Sequence, residues 1–191
     1  MHKTVLVEGP ATEPITVEEA NTHLHLTGED VYVTGLIKTA TSQVERYLHR
    51  KLITQSWKVY YDCFQPDMIV PFGSLTSNPA PVVKYYDING TQQTLGTSNY
   101  WIVYTTDPAI ILKGYDVTYP ETQYGRPDAV EIAFTCGFGS AADVPAEIKH
   151  AIKLLITNYH EQRGDIVIAN MVTRIPHFIS DLIHSYKIYN F

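Results

Sequence analysis

The hydrophobic period of this chain changes twice, and these two changes limit the possible folds more than any other sequence feature. Between Val33 and Leu48 apolar residues recur at spacings of three and four, which predicts an amphipathic helix over Asp30–Arg50. From Thr54 apolar and polar residues alternate as in a half-buried strand, and the helical period returns only after Gly139. The sequence therefore predicts an α+β fold, a helical bundle from the N- and C-terminal segments with a β-rich unit inserted between them.

Local signals divide the chain into three parts. A capping box at Thr16 and Glu19 starts a short helix, and Asp30 is expected to cap a longer one. Asp143 is expected to cap a third helix that ends at Gly164, and a last helix spans 176–186. The predicted parts are N-terminal bundle helices in 1–53, a β insertion in 54–139 with a hairpin at Asn89-Gly90, and C-terminal bundle helices with a tail in 140–191.

Composition and charge exclude several classes of protein. The 191 residues are 45% hydrophobic and 18% charged, which is typical of a globular chain. The net charge of −6 argues against a broad surface that grips nucleic acid, but not against a surface along which DNA slides. Cys63 and Cys136 are too few for a disulfide framework. We find no signal peptide and no apolar run of membrane-spanning length, and expect a cytosolic setting unless an assembly carries the protein elsewhere.

A glycine pair, Gly137 and Gly139, follows the last predicted strand and precedes a helix. Such turns can cradle phosphate, because a helix N-terminus presents unpaired N–H groups. A phosphate loop needs a lysine followed by serine or threonine after its second glycine, whereas no lysine occurs here before Lys149. A dinucleotide-binding turn needs a third glycine, which is also missing. The pattern favours a tight corner between strand and helix.

No residue pattern in the sequence indicates catalysis or metal binding. His160-Glu161 resembles the start of a zinc-protease motif, but Gly164 stands where the second histidine is required. His23 and His25 do not converge on one helix face, and neither cysteine lies in a catalytic context. The acidic residues Glu161, Asp165 and Asp181 are not paired at a fixed distance. We predict no enzyme activity, no cofactor and no metal.

Tyrosine is unusually frequent, with 14 copies, and the chain ends in an aromatic tail. Tyrosine suits protein–protein contacts, since it buries a large area and keeps a polar tip, but a half-exposed sheet would account for it equally. The tail runs from Tyr186 to Phe191 without a capped element to hold it. It docks either on its own domain or on a partner, and the sequence leaves both open.

The most informative pattern is an ordered set of segments: Glu13–Ala20, Leu24–Leu26, Asp30–Arg50, Leu52–Trp57, Tyr85–Gly90, Phe134–Gly139, Val144–Lys149 and Tyr159–Arg163. This set resembles one family, the head–tail connector (adaptor) proteins of long-tailed bacteriophages and prophages. The resemblance covers nearly the whole chain, although His25 stands where that family usually has a basic residue such as arginine.

The resemblance implies a structural virion protein that forms a ring of about twelve copies beneath the portal and extends the DNA channel. Its partners would be the portal protein, a stopper (head-completion) or tail protein, other copies of itself, and DNA that passes without specific binding. It would lie in the virion neck after assembly in the host cytoplasm, with no membrane involved. We expect the portal contact in the loop Gly164–Arg174 and the tail, at Tyr186, Ile188, Tyr189 and Phe191. The alternatives are a tail or baseplate accessory module, and an enzyme whose site is assembled from distant residues.

Overall fold

The computed structural model describes residues 3–161 and 175–189, and these form two compact units with separate cores. Helices and antiparallel sheets are both present, so the chain is α+β. The helical unit contains residues 12–53, 138–161 and 175–187. The β unit contains residues 3–11, 54–137 and 188–189.

Among the described residues of the helical unit there are four α-helices: α1 (Val17–Leu24), α2 (Asp30–Leu48), α3 (Ala146–Glu161) and α4 (His177–Ile183). They bury a common core, because each helix contributes apolar side chains at helical spacing. Leu36, Val44, Ile152 and Leu155, from segments on both sides of the β-rich sequence, all pack in this one cluster. His25 adopts the left-handed conformation, which ends α1 before α2 begins.

Eight strands make up the β unit: β1 (Lys3–Glu8), β2 (Gln55–Tyr61), β3 (Asp67–Val70), β4 (Val82–Tyr86), β5 (Gln92–Thr94), β6 (Tyr100–Val103), β7 (Ala109–Lys113) and β8 (Val130–Cys136). They form a five-stranded sheet in the order β1-β2-β8-β4-β5 and a three-stranded sheet in the order β3-β7-β6. One apolar cluster joins the two sheets, with Val59 and Ile132 from the first and Met68 and Ile111 from the second.

Three local features differ from the sequence predictions. The strand β1 was not predicted, and residues 1–53 therefore contribute a strand as well as helices. Asp30 does not cap α2: it is the first helical residue, and its Oδ1 accepts a hydrogen bond from Asn21 Nδ2 at 2.9 Å. Asp143 does not cap α3 either, because it closes the short 3₁₀ turn Ala141–Asp143 before the helix begins at Ala146. The predicted end of the third helix at Gly164 lies outside the described residues.

Candidate interface surfaces

The C-terminal segment, which the sequence proposes as a portal contact, is held by its own chain as far as Ile188. The Tyr186 hydroxyl donates a hydrogen bond to Glu147 Oε2 at 3.1 Å, and Ile188 is only 2% exposed. Tyr189 is 46% exposed. Phe191 and the loop Gly164–Arg174 lie outside the described residues. The sequence left open whether the tail docks on its own domain or on a partner. Tyr186 and Ile188 pack on their own chain.

A buried arginine fixes this segment on the helical unit. Arg50 is 8% exposed, and its Nε donates a hydrogen bond to the carbonyl oxygen of Tyr186 at 3.1 Å. Its guanidinium also lies over the Phe138 ring, 5.3 Å from the centroid. The ammonium group of Lys187 lies 4.6 Å from the Tyr47 ring centroid. These contacts hold Tyr186 and Lys187 on the helical unit.

The glycine pair forms a corner whose backbone requires glycine. Gly137 and Gly139 have φ of 129° and 135°, a region that other residues rarely adopt. Asp143 accepts hydrogen bonds from the backbone N and the hydroxyl of Ser140, at 2.8 and 2.7 Å, and these bonds lower the pKa of its carboxyl group. The Ser140 N–H group, which a phosphate would need at this corner, therefore already donates to the Asp143 carboxylate.

The histidines and acidic residues considered in the sequence form no metal site among the described residues. Within residues 3–161 and 175–189, no group of three His, Cys, Asp or Glu side chains is placed to hold a metal ion. The pKa of His23 is lowered by burial and by the nearby Lys153, His150 and His25. His160 packs against Tyr32, with 5.9 Å between ring centroids. Glu161 and Asp181 are exposed, and Asp165 lies outside the described residues.

A groove with apolar, polar and basic walls lies on the helical unit. Its walls come from α2, from Tyr159 of α3 and from the start of α4, and include the basic side chains of Lys38, Arg46 and His177. Tyr159 donates a hydrogen bond across it to the side-chain oxygen of Gln43. Acidic residues do not occur among the described residues that line it.

The β unit carries two exposed apolar surfaces that sequence reasoning missed. The first, the β1 surface, consists of Val5, Leu6 and Val7, which are 38%, 47% and 57% exposed at the edge of the five-stranded sheet. The second, the Trp101 face, is the outer face of the three-stranded sheet, where register aligns Trp101 with Leu112 and Asp67, and Val103 with Ile110 and Ile69. The run Thr4-Val5-Leu6-Val7, in which three of the four residues are β-branched, was the signal that could have predicted β1.

Within the described part of the chain, no helix is long and apolar enough to cross a membrane.

Comparisons with known proteins identify the fold but no sequence family. No protein-family model matches the sequence, and no curated protein matches it. Among solved structures, a chain in the neck of an empty GTA particle, computed with C6 symmetry, matches with a TM-score of 0.77. It is 20% identical, and the match covers 99% of this chain and 97% of that one. This chain has the fold of a gene transfer agent neck chain.

Two further structures agree with that match. A chain of the virion of a native gene transfer agent particle has a TM-score of 0.73, and one in the neck of a native particle computed with C12 symmetry has 0.69. Each is 20% identical to this chain, with 97% of both chains covered. The shared fold therefore includes both the helical and the β unit, since each match spans nearly the whole length.

Proposed function

We propose that this protein is a structural component of a phage or phage-like virion neck, a head–tail connector (adaptor) that forms a ring beneath the portal. The observation that carries the proposal is the match to gene transfer agent neck chains over 97–99% of this chain. Those necks were computed with C6 and C12 symmetry, which supports assembly into a closed ring. The resemblance of the sequence segments to phage connectors points the same way.

The ring would extend the DNA channel from the portal to a stopper or tail protein. DNA would pass through without specific binding, and the net charge of −6 supports this, because an acidic wall repels phosphate whereas a basic wall would retain it. The protein would be made from a phage or prophage genome, assembled in the cytoplasm of the bacterial host and kept in the virion.

Within the subunit we propose a helical bundle with the β unit inserted in one of its connections. The chain leaves the helical unit at Ile53 and returns to it at Phe138. The Phe138 N–H donates to the Leu52 carbonyl at 2.9 Å, and Ile53 forms a β-bridge with Gly139. The two ends of the insertion therefore lie side by side, which is what an inserted unit requires.

The portal contact that we propose contains fewer residues than the sequence alone predicts. The Tyr186 hydroxyl binds Glu147 and Ile188 is buried, so we leave both residues out of the proposed contact. Tyr189, Phe191 and the loop Gly164–Arg174 remain the proposed contact. A terminal apolar segment that becomes ordered on a partner buries its aromatic side chains there.

The test is to mix the purified protein with the portal protein encoded by the same genome, then to sediment the mixture and image it by negative-stain electron microscopy. We expect co-sedimentation and a ring added to one end of the portal. A chain that stays in the supernatant and adds no density to the portal would contradict the proposal. Binding to a tail or baseplate protein instead would favour the accessory-module alternative.

A further inference from the structure

The strand β1 carries exposed apolar side chains on both of its faces, although it lies at a sheet edge. Its register with β2 pairs Leu6 with Trp57, on the side of the core, and Val5 with Lys58, on the opposite side. Continuous apolar runs are typical of strands that are covered on both faces. The β1 surface is therefore left half-covered within one copy, and an exposed apolar edge promotes association with another chain.

The Trp101 face has the composition of an interface centre. Trp101 is 61% exposed, Ile69 is 38% exposed, and the two cross-strand rows contain five apolar residues. Tryptophan is enriched among the residues that supply most of the binding energy in protein interfaces. Asp67 is the one charged residue in the two rows, and it lies at the outer edge of the face.

The two surfaces complement each other in chemistry and in charge. Both are apolar, and they lie on different sheets of the same β unit. Lys3 begins β1, so an oppositely charged pair with Asp67 would fix the direction in which β1 crosses the Trp101 face. A ring needs two different surfaces on each subunit, because a surface that pairs with its own copy closes at two subunits.

We propose that the β1 surface of one copy packs on the Trp101 face of the next copy, with Lys3 beside Asp67. The occupant of each surface is thus a second copy of this chain, and the contact is the head-to-tail kind that closes a ring. This inference rests on the proposed function, because it specifies how the ring is joined.

Cysteine cross-linking tests the contact directly. The exposed Cys63 is first replaced by serine, while the buried Cys136 is kept. In this background, a chain with both Val7→Cys and Ile69→Cys is treated with a short bismaleimide linker at millimolar protein concentration. We expect a ladder of dimers, trimers and higher oligomers on a denaturing gel. Each single variant should stay monomeric on the gel. With one cysteine per chain, a cross-link requires that the same surface of two copies meet, and the proposed contact joins two different surfaces.

A control chain combines Val7→Cys with Tyr124→Cys, since Tyr124 is fully exposed outside both surfaces. It should give no ladder. Cross-linked dimers from Val7→Cys alone, or no ladder from the Val7→Cys/Ile69→Cys chain, would overturn the proposal.

Charge reversal provides a second readout that does not depend on cross-linking. Lys3→Asp and Asp67→Lys should each weaken self-association, measured by sedimentation, by roughly two- to fivefold. The double variant should restore it, whereas equal weakening in the double variant would count against the pair. If rings form on the portal but the Val7→Cys/Ile69→Cys chain gives no cross-linked ladder, this inference fails and the proposed function stands. If no ring forms on the portal at all, the proposed function itself fails.

Discussion

At the residue scale, alanine substitution of Gly139 tests the glycine corner, and the same substitution of Gly35 in α2 is its control. A Cβ atom added to Gly139 would lie 2.5 Å from Asp143 Oδ2, at a φ of +135° that disfavours side chains. Gly35 lies exposed within α2, and an added Cβ meets nothing within 4 Å. We predict that Gly139→Ala lowers the free energy of unfolding by about 1–3 kcal/mol, through backbone strain and this clash.

Gly35→Ala should raise the same free energy by about 0.5–1 kcal/mol, because alanine restricts the unfolded chain and favours the helix. Urea denaturation measures both changes. Equal effects of the two substitutions, or nucleotide binding that disappears with Gly139→Ala, would contradict our reading of the corner.

Tyr61 gives a prediction about pH. Burial raises its pKa to about 12, and its hydroxyl donates to the Ile69 carbonyl at 2.6 Å. The folded pKa lies above the unfolded value of about 10, so this contribution to stability is complete below pH 10 and is lost between about pH 10 and 12. In an absorbance titration of phenolate, one late-titrating tyrosine should disappear in Tyr61→Phe. An unchanged titration curve in that variant would contradict the assignment.

The residue-level predictions succeeded where backbone geometry alone decides and were wrong where neighbours decide. Gly137 and Gly139 were predicted to form a tight corner, and both have positive φ. Asp143 was predicted to cap α3, but Ser140 lies three residues before it and the two form their own capping box. A local alternative partner of this kind cannot be ranked from sequence spacing.

At the element scale, the C-terminal segment provides the next prediction. Ile188 is 2% exposed, so Ile188→Ala should lower the free energy of unfolding by about 2–5 kcal/mol through lost burial and a cavity. Tyr189 is 46% exposed, and Tyr189→Ala should have a much smaller effect. Thermal unfolding of both variants, beside a chain truncated after Tyr186, measures this.

The truncated chain should unfold at a lower temperature than the full chain. If it is as stable as the full chain, Ile188 is not part of the core. If Tyr189→Ala leaves both stability and portal binding unchanged, Tyr189 is not part of the portal contact.

Which elements the sequence could predict follows from their length and pattern. The helix α2 has 19 residues of sustained period, and β8 alternates over seven, so both were predicted. β1 was missed because only three of its six residues are apolar, and a run that short has no decisive period. Its partner β2 also lies some fifty residues away in the chain. The two apolar surfaces could not be predicted, since they depend on strand register and sheet edges.

At the scale of the whole molecule, the insertion itself can be tested by excision. A chain of residues 12–53 joined to 138–187 by a short glycine linker should fold as an all-helical protein, because the Leu52–Phe138 hydrogen bond shows that the ends meet. Circular dichroism should show helix with a cooperative thermal transition. A chain that lacks cooperative unfolding would mean that the helical core depends on the β unit.

The central claim concerns the position of this protein in a particle, and labelling measures that most directly. A small epitope tag inserted after Tyr124, which is fully exposed and lies outside the proposed contact surfaces, is bound by gold-labelled antibody and locates the protein in purified virions by electron microscopy. The proposal of a neck ring predicts gold at the junction between head and tail in particles that contain DNA. Gold at the distal tip of the tail, or particles without label although the tagged protein is expressed, would contradict it.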